Sequence, residues 1–279
     1  MYCDLHVHSH FSDGTWSPEA LVAEAERIQL DAVALCDHNT IDGLPRFMAA
    51  GQGSSVQTVA GIEFSTDFQG TELHILALFV KPEYYDTISN MMEDWKQRKE
   101  QSNIDLVAAL NHGGYDISYE EIRNRGKGYI NRAHIAAALT EKVYTETVRE
   151  AFKKLLNPSR GFYRPPEKFL AYDIIRFIKS IGAVAVLAHP FLNLDEAGLR
   201  AFLPEAVNCG LDGMEVFYPK YTPEQTVLAQ KIAEEFGILS SGGSDFHGDN
   251  KPDIAMGTGR GSLAVPTEYL HNLQNRIAL

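Results

Sequence analysis

The stretch YCDLHVHSHFSDG, residues 2–14, sets His6, His8 and His10 at alternate positions and follows them with an acidic turn at Asp13. Apolar residues surround the first two histidines, so YCDLHV reads as a strand, and side chains two apart on a strand share a face. His6 and His8 therefore project together. Two imidazoles on one face can share a metal ion.

Outward from that stretch the chain alternates strand and helix patterns. SPEALVAEAERIQL (17–30) reads as a helix with Ser17 at its N-cap and Pro18 at its first position, and DAVALC (31–36), QTVAGIEF (57–64) and ELHILALF (72–79) read as strands. After residue 170 the rhythm resumes. A helix over 171–182 leads to strands AVAVLAHP (183–190) and GMEVFY (213–218), a helix from Thr222 with a Thr222/Pro223/Gln225 capping signature, and a strand ILSSGGSD (238–245). Such alternation predicts a parallel sheet covered by helices, and the strand number favours closure into a TIM-like α/β barrel. Residues 83–170 read as helices without a strand between them, which predicts a helical insertion. The expected plan is barrel over 1–82, helical insertion (cap) over 83–170, and barrel again over 171–279. The alternative, two domains in series, asks four strands and one or two helices in the first 80 residues to form a sheet alone.

The 279-residue chain, 44% hydrophobic, is long enough to bury a large core. No run of about 18 apolar residues occurs, and Asp4 and His6 interrupt the place a signal peptide would fill, so a cytoplasmic location without membrane contact is expected. Cys3, Cys36 and Cys209 are odd in number and set among apolar residues, which suits buried thiols. A net charge of −12 argues against a general nucleic-acid surface, but the balance is uneven. Residues 83–170 carry 14 Lys/Arg against 13 Asp/Glu, and the rest of the chain 11 against 24. The middle segment is where an anionic substrate would find cations.

The polar residues fall at a repeated place. LHVH, LCDHN, GIEF, ELHI, LAHP and GGSDFHG each set His, Asp or Glu at or beside an apolar strand, and in a parallel barrel the C-terminal strand ends open on one face. A lone strand-end histidine is ordinarily a hydrogen-bonded rim residue. Six of the ten histidines, His6, His8, His38, His74, His189 and His247, with Asp13, Glu63 and Asp245, occupy matched positions. Burying that many polar groups without partners costs several kcal/mol, and metal coordination removes the cost. Imidazoles mixed with carboxylates suit Mn²⁺, Zn²⁺ or Fe²⁺, and nine ligands exceed one tetrahedral ion, so two or three divalent ions are expected. Ions so placed attract phosphate and activate water.

These residues resemble the PHP (polymerase and histidinol phosphatase) family of metal-dependent phosphoesterases, through DLHVHSHFSDGTWSPEAL, ALCDHNTIDG, GIEFS, ELHILALF, AVLAHP, GLDGMEVFYP and GGSDFHG in the family's order. NRAHIAAAL and AFKKLLNPSRGFY in the insertion resemble the subgroup containing nucleoside 3′,5′-bisphosphate phosphatase and a short-RNA 5′-to-3′ exonuclease. The resemblance implies a distorted (β/α)7 barrel with a trinuclear centre. One ion would be held by His6, His8, Glu63 and Asp245, a second by Glu63, His74 and His189, and a third by Asp13, His38 and His247. His6, His8, Glu63, Asp245 and His247 would be catalytic, and Arg132 and His134 would hold substrate phosphate. In many relatives the second-strand motif reads Thr-Asp-His-Asp; here Cys36 and Asn39 stand at its outer positions. His10 stands where a small residue is commoner and has no place among the nine.

The expected activity is hydrolysis of a phosphate monoester by a metal-bridging hydroxide. The favoured substrate is the 3′-phosphate of a nucleoside 3′,5′-bisphosphate, with short oligonucleotides as an extension and no obligate protein partner. Histidinol-phosphate phosphatase is the nearest alternative, and a metal-dependent amidohydrolase a more distant one, disfavoured by the Asp245/His247 pair and by Asp13 with His38. A non-catalytic scaffold would have lost ligands, and none is lost. MGTGRG (256–261) lacks the ending of a phosphate loop and reads as a turn-rich loop. Asp37 reads as a partner orienting a ligand ahead of a general acid. Trp95, Met91 and Met92 read as helix packing. Tyr129, Phe162 and Tyr163 read as insertion core ahead of base-stacking residues.

Overall fold

A computed structural model of the chain describes residues 2–125, 130 and 132–277. The described residues form two compact units, one reaching to Ser89 and resuming at Lys168, the other Asn90–Glu167. Along the chain run β1 (Tyr2–Val7), α1 (Pro18–Arg27), β2 (Ala32–Leu35), α2 (Leu44–Ala50), β3 (Gln57–Phe68) and β4 (Thr71–Leu78). Four helices follow, α3 (Tyr85–His112), α4 (Tyr119–Arg125), α5 (Arg132–Glu141) and α6 (Val148–Lys154). Then come β5 (Phe169–Leu170), α7 (Ala171–Ser180), β6 (Val184–Ala188), α8 (Glu196–Asn208), β7 (Gly213–Phe217), α9 (Pro223–Glu235), β8 (Leu239–Gly242), β9 (Val265–Pro266) and α10 (Thr267–Gln274).

The strands make one sheet in the order β8-β7-β6-β4-β3-β2-β1-β9, with β5 paired to β3. It curls into a nearly closed barrel. The segment after β8 reaches β1, where the Asp245 amide donates to the His6 carbonyl at 2.8 Å and the His8 amide to the Phe246 carbonyl at 2.9 Å. The expected α/β barrel is thus present, but it is not wholly parallel. β4 runs antiparallel to both β3 and β6. The cause is local. Gln69 and Gly70, with φ of 52° and 84°, form a two-residue hairpin of the mirror-image type that joins antiparallel strands. His74 therefore enters from the first half of β4, the end of that strand that lies beside the C-terminal ends of β3 and β6.

Buried side chains from β1, β2, β3, β4, β6 and β9, including Leu5, Ala34, Val59, Leu76 and Val186, form the barrel core. α7 shows how a helix earns its place on the sheet. Ala171, Ile174, Ile175 and Ile178 recur on one face, all are buried, and the helix packs on β3, β4 and β6. Each isoleucine so buried contributes about 1.5–3 kcal/mol of transfer free energy. The Asn90–Glu167 unit has a core of its own, built on Leu106, Leu110, Ile135, Leu139, Ala151 and Leu156. Tyr163 belongs to that core and Phe162 packs against it, while Tyr129 lies outside the described residues. Cys3, Cys36 and Cys209 are free and buried. Among the described residues no helix is long and apolar enough to cross a membrane.

The residues 256–261 loop also has a structural task. Gly257 (φ 74°) donates its amide to Asp4 at 2.7 Å, and the other oxygen of the same buried carboxylate accepts from Ser244 at 2.8 Å and from His6 at 3.3 Å. Asp4 thereby ties the first strand to two segments near the C-terminus.

Candidate metal centre

Nine side chains foreseen from the sequence converge at one end of the barrel. His6 lies within a run of buried β1 residues, and its Nε2 lies 3.0 Å from His8 Nε2 and 3.1 Å from Glu63 Oε2. His8 Nε2 is in turn 3.2 Å from Glu63 Oε2 and 3.3 Å from Asp245 Oδ1. Glu63, wholly buried on β3, gives its other oxygen to His74 Nδ1 at 2.8 Å and His189 Nε2 at 3.0 Å. Further out, His247 Nε2 lies 3.1 Å and His38 Nε2 3.9 Å from the two oxygens of Asp13.

The chain fixes these rings before any ligand binds. His247 Nδ1 donates to the Asp245 carbonyl at 2.8 Å, which leaves its Nε2 lone pair facing Asp13. Asp245 has φ of 54°, and its Oδ2 accepts from Tyr218 Oη at 2.8 Å and Lys251 Nζ at 2.7 Å. Oδ1 is thus turned to the histidines. Asp37 accepts from the Ser9 amide at 2.7 Å, the Ser9 hydroxyl at 2.6 Å and the Ser12 hydroxyl at 2.6 Å. It shapes the turn that carries Asp13 and orients no imidazole directly. Asn39 serves a neighbouring turn by exchanging two hydrogen bonds with Ser65, both at 3.0 Å. Cys36 is buried against the Leu5 carbonyl, and burial holds its thiol well above the ordinary range. His10 is exposed, with Nδ1 3.1 Å from the Trp16 carbonyl.

The donor set fits divalent ions. An ion with four ligands at about 2.1 Å separates them by about 3.4 Å, and the contacts among His6, His8, Glu63 and Asp245 run from 3.0 to 3.9 Å. Two ring nitrogens, His8 Nδ1 and His38 Nδ1, are buried without a hydrogen-bond partner, although His38 Nδ1 is only 3.1 Å from Glu63 Oε2. A cation beside them would give such nitrogens the partner that the protein does not. Groups small enough to hold an ion are His6/His8/Glu63, His38/Glu63/His74, His8/Asp13/His38/His247 and His6/His189/Glu215.

Electrostatics point the same way. Burial disfavours the charged form of Glu63, but His38, His6 and His74 outweigh it and hold the carboxyl well below the usual range. Burial drives His38 down to about 4. It also opposes charge on His74, where Glu63 and Glu72 prevail and push the imidazole up to about 10. Protons alone thus leave neighbouring rings in opposite charge states around one carboxylate, whereas a cation can satisfy all of them in their unprotonated form.

Arg132 and His134 lie on α5, in the other compact unit. The Arg132 guanidinium sits 4.5 Å from the Tyr163 ring centroid and 5.6 Å from that of Phe152. Sequence reasoning passed over Glu215, Tyr218 and Lys251. For Glu215 a signal existed, since a carboxylate in an apolar strand is what marked Glu63.

The sequence profile of the PHP domain matches residues 4–163, more than half of the chain. This chain belongs to the PHP-domain family. Relatives within the same similarity range include a phosphoribosyl 1,2-cyclic phosphate 1,2-diphosphodiesterase from Eggerthella lenta, 32% identical over 88% of this chain and 94% of the relative. A 5′-3′ exoribonuclease from Haemophilus influenzae is 30% identical over 88% and 89%, and a 3′,5′-nucleoside bisphosphate phosphatase from Chromobacterium violaceum is 26% identical over 88% and 86%. Among solved structures, one assigned to the metal-dependent phosphoesterases, from Bifidobacterium adolescentis, superposes with a TM-score of 0.71 at 28% identity, covering 98% of this chain and 96% of its own. The PHP barrel described here is accordingly that of a metal-dependent phosphoesterase.

Proposed function

We propose that this PHP enzyme removes the 3′-phosphate of nucleoside 3′,5′-bisphosphates and extends to short oligonucleotides, using two or three Mn²⁺, Zn²⁺ or Fe²⁺ ions. The convergence of five imidazoles on Glu63, with Asp245, Asp13 and His247 beside them, carries the phosphoesterase reading. The nucleotide reading is supported by similarity along most of the chain to a bisphosphate phosphatase and an exoribonuclease, and by the cation content of residues 83–170.

His6, His8, Glu63 and Asp245 are assigned to one ion, Glu63, His74 and His189 to a second, and Asp13, His38 and His247 to a third. The bound ions supply an activated water and neutralise charge on the phosphoryl oxygens. The protein supplies placement. Tyr218 and Lys251 keep Asp245 Oδ1 directed inward, and Asp37 holds the turn bearing Asp13. Arg132 and His134 are assigned to substrate phosphate. A guanidinium stacked on Tyr163 and Phe152 has its plane fixed, which suits forked recognition of phosphate oxygens.

A second reading, cleavage of phosphoribosyl 1,2-cyclic phosphate, is favoured by the 32% identity to the Eggerthella lenta diesterase. A hydrolysis panel with Mn²⁺ separates the readings. It compares a 3′,5′-bisphosphate, a 5′-phosphorylated short RNA, phosphoribosyl 1,2-cyclic phosphate, histidinol phosphate and an amide. The bisphosphate is expected to have the highest kcat/KM, and turnover of no phosphoester by metal-loaded protein would refute the assignment. Arg132→Ala is expected to raise KM for the bisphosphate about tenfold with little change in kcat; an unchanged KM removes Arg132 from the substrate site.

A further inference from the structure

The inner half of the centre hangs on a carboxylate outside the nine. Glu215, on β7, is wholly buried, and among the described residues no lysine or arginine pairs with it. Its Oε1 lies 2.9 Å from His6 Nδ1, and its Oε2 accepts the His189 amide at 2.7 Å. An ionised carboxylate only accepts, so the His6 proton resides on Nδ1. In the neutral ring, the form that binds an ion, the Nε2 lone pair then faces His8 Nε2 and Glu63 Oε2.

The second bond acts on the backbone. His189 adopts φ 30° and ψ 54°, a left-handed conformation that a β-carbon disfavours. With its amide anchored on Glu215, the chain turns at that residue, and the ring arrives with Nε2 3.0 Å from Glu63 Oε1. One carboxylate thus places two histidines, from β1 and from the end of β6, against the two different oxygens of Glu63.

Resting on the reading of this cluster as a metal centre, we propose that Glu215 is a positioning residue, whose grip on His6 and His189 sets the placement of the two ions that share Glu63. His6, His189 and Glu215 are also close enough to hold an ion among themselves. That arrangement would take a Glu215 oxygen from a buried N–H and leave the donor unpaired, which is costly. Positioning keeps both donors satisfied. Histidine ligands of metals ordinarily donate their second N–H to such a carboxylate.

Calorimetric titration with Mn²⁺, together with metal content at saturation, tests the assignment on wild type and Glu215→Gln. A glutamine offers one acceptor and one donor group, so only one of the two histidines keeps its partner. The expected result is about 10–100-fold weaker Mn²⁺ binding with unchanged stoichiometry at saturation. Unchanged affinity would make Glu215 a fold residue only, and loss of one equivalent at saturation would make it a ligand; either result overturns the proposal. Should Glu215→Gln not fold, long-range ¹H–¹⁵N spectra of Zn²⁺-loaded wild type read the His6 tautomer directly. A protonated Nδ1 with metal-shifted Nε2 is expected, and an unprotonated Nδ1 overturns the proposal. Wild type that takes up no Mn²⁺ would overturn the metal reading itself.

Discussion

The inner and outer halves of the centre are built on different principles. The inner half, around Glu63, draws on β1, β3, β4, the end of β6 and the segment after β8 that pairs with β1, and His6, Glu63 and His189 are at most 5% exposed. The outer half draws on turns, and the Asp13 side chain is 56% exposed. Strand pairing fixes the first set through the barrel itself. The second depends on hydrogen bonds that organise the residues 9–14 turn, chiefly those received by Asp37. On the proposed three-ion assignment, an ion in the outer half is therefore expected to exchange more readily than the inner pair, because fewer contacts with the fold must yield to release it.

Glu63→Gln strikes the residue that the proposed assignment shares between both inner ions, and should lower activity by about three orders of magnitude while cutting metal content by more than one equivalent. Elemental analysis beside steady-state rates checks it. Asp13→Asn is expected to remove only the outer equivalent and about a hundredfold of rate; loss of all metal would erase the distinction between the halves. Titration provides a third probe. His74, raised from 6.5 to about 10 in the metal-free fold, must lose a proton before its nitrogen can bind. Inner-ion affinity should therefore climb by about tenfold per pH unit from about pH 7 to pH 9, with proton release detectable by calorimetry in buffers of different ionisation enthalpy. The same proton favours the metal-free fold fully below about pH 6.5 and ceases to do so as pH rises through about 10, so His74's contribution to metal-free stability should fall across that window. Asp37→Asn is expected to have the smallest effect, about tenfold weaker binding of the outer ion with the inner pair unchanged.

The barrel and the gathering of nine polar side chains at one end of it were legible because strand-end His, Asp and Glu interrupt apolar runs, as in LHVH and GGSDFHG. The direction of β4 was not. It depends on a two-residue turn whose second member, Gly70, resembles many loop glycines until both φ angles are known. α8 was also obscure, since Pro204 interrupts a helical pattern that Leu199, Phe202, Leu203 and Ala206 nonetheless bury. Glu215 carried the same mark as Glu63, a carboxylate in an apolar strand, but its partners, a ring N–H from β1 and a main-chain amide, are not written in sequence spacing. Asp37 was read as a ligand's partner, and its hydrogen bonds instead go to the loop that carries one.

The closure through Asp4 has a consequence for folding. Its carboxylate binds the amides of Ser244 and Gly257, 240 and 253 residues away, and β1 pairs with β9 at Tyr2 and Cys3. The hydrogen bonds of β1 are therefore complete only once chain some 240 residues downstream has joined it. Because Asp245 and His247 lie in that same downstream stretch, the cluster around the HVH motif comes together in the slow, long-range step that shuts the barrel.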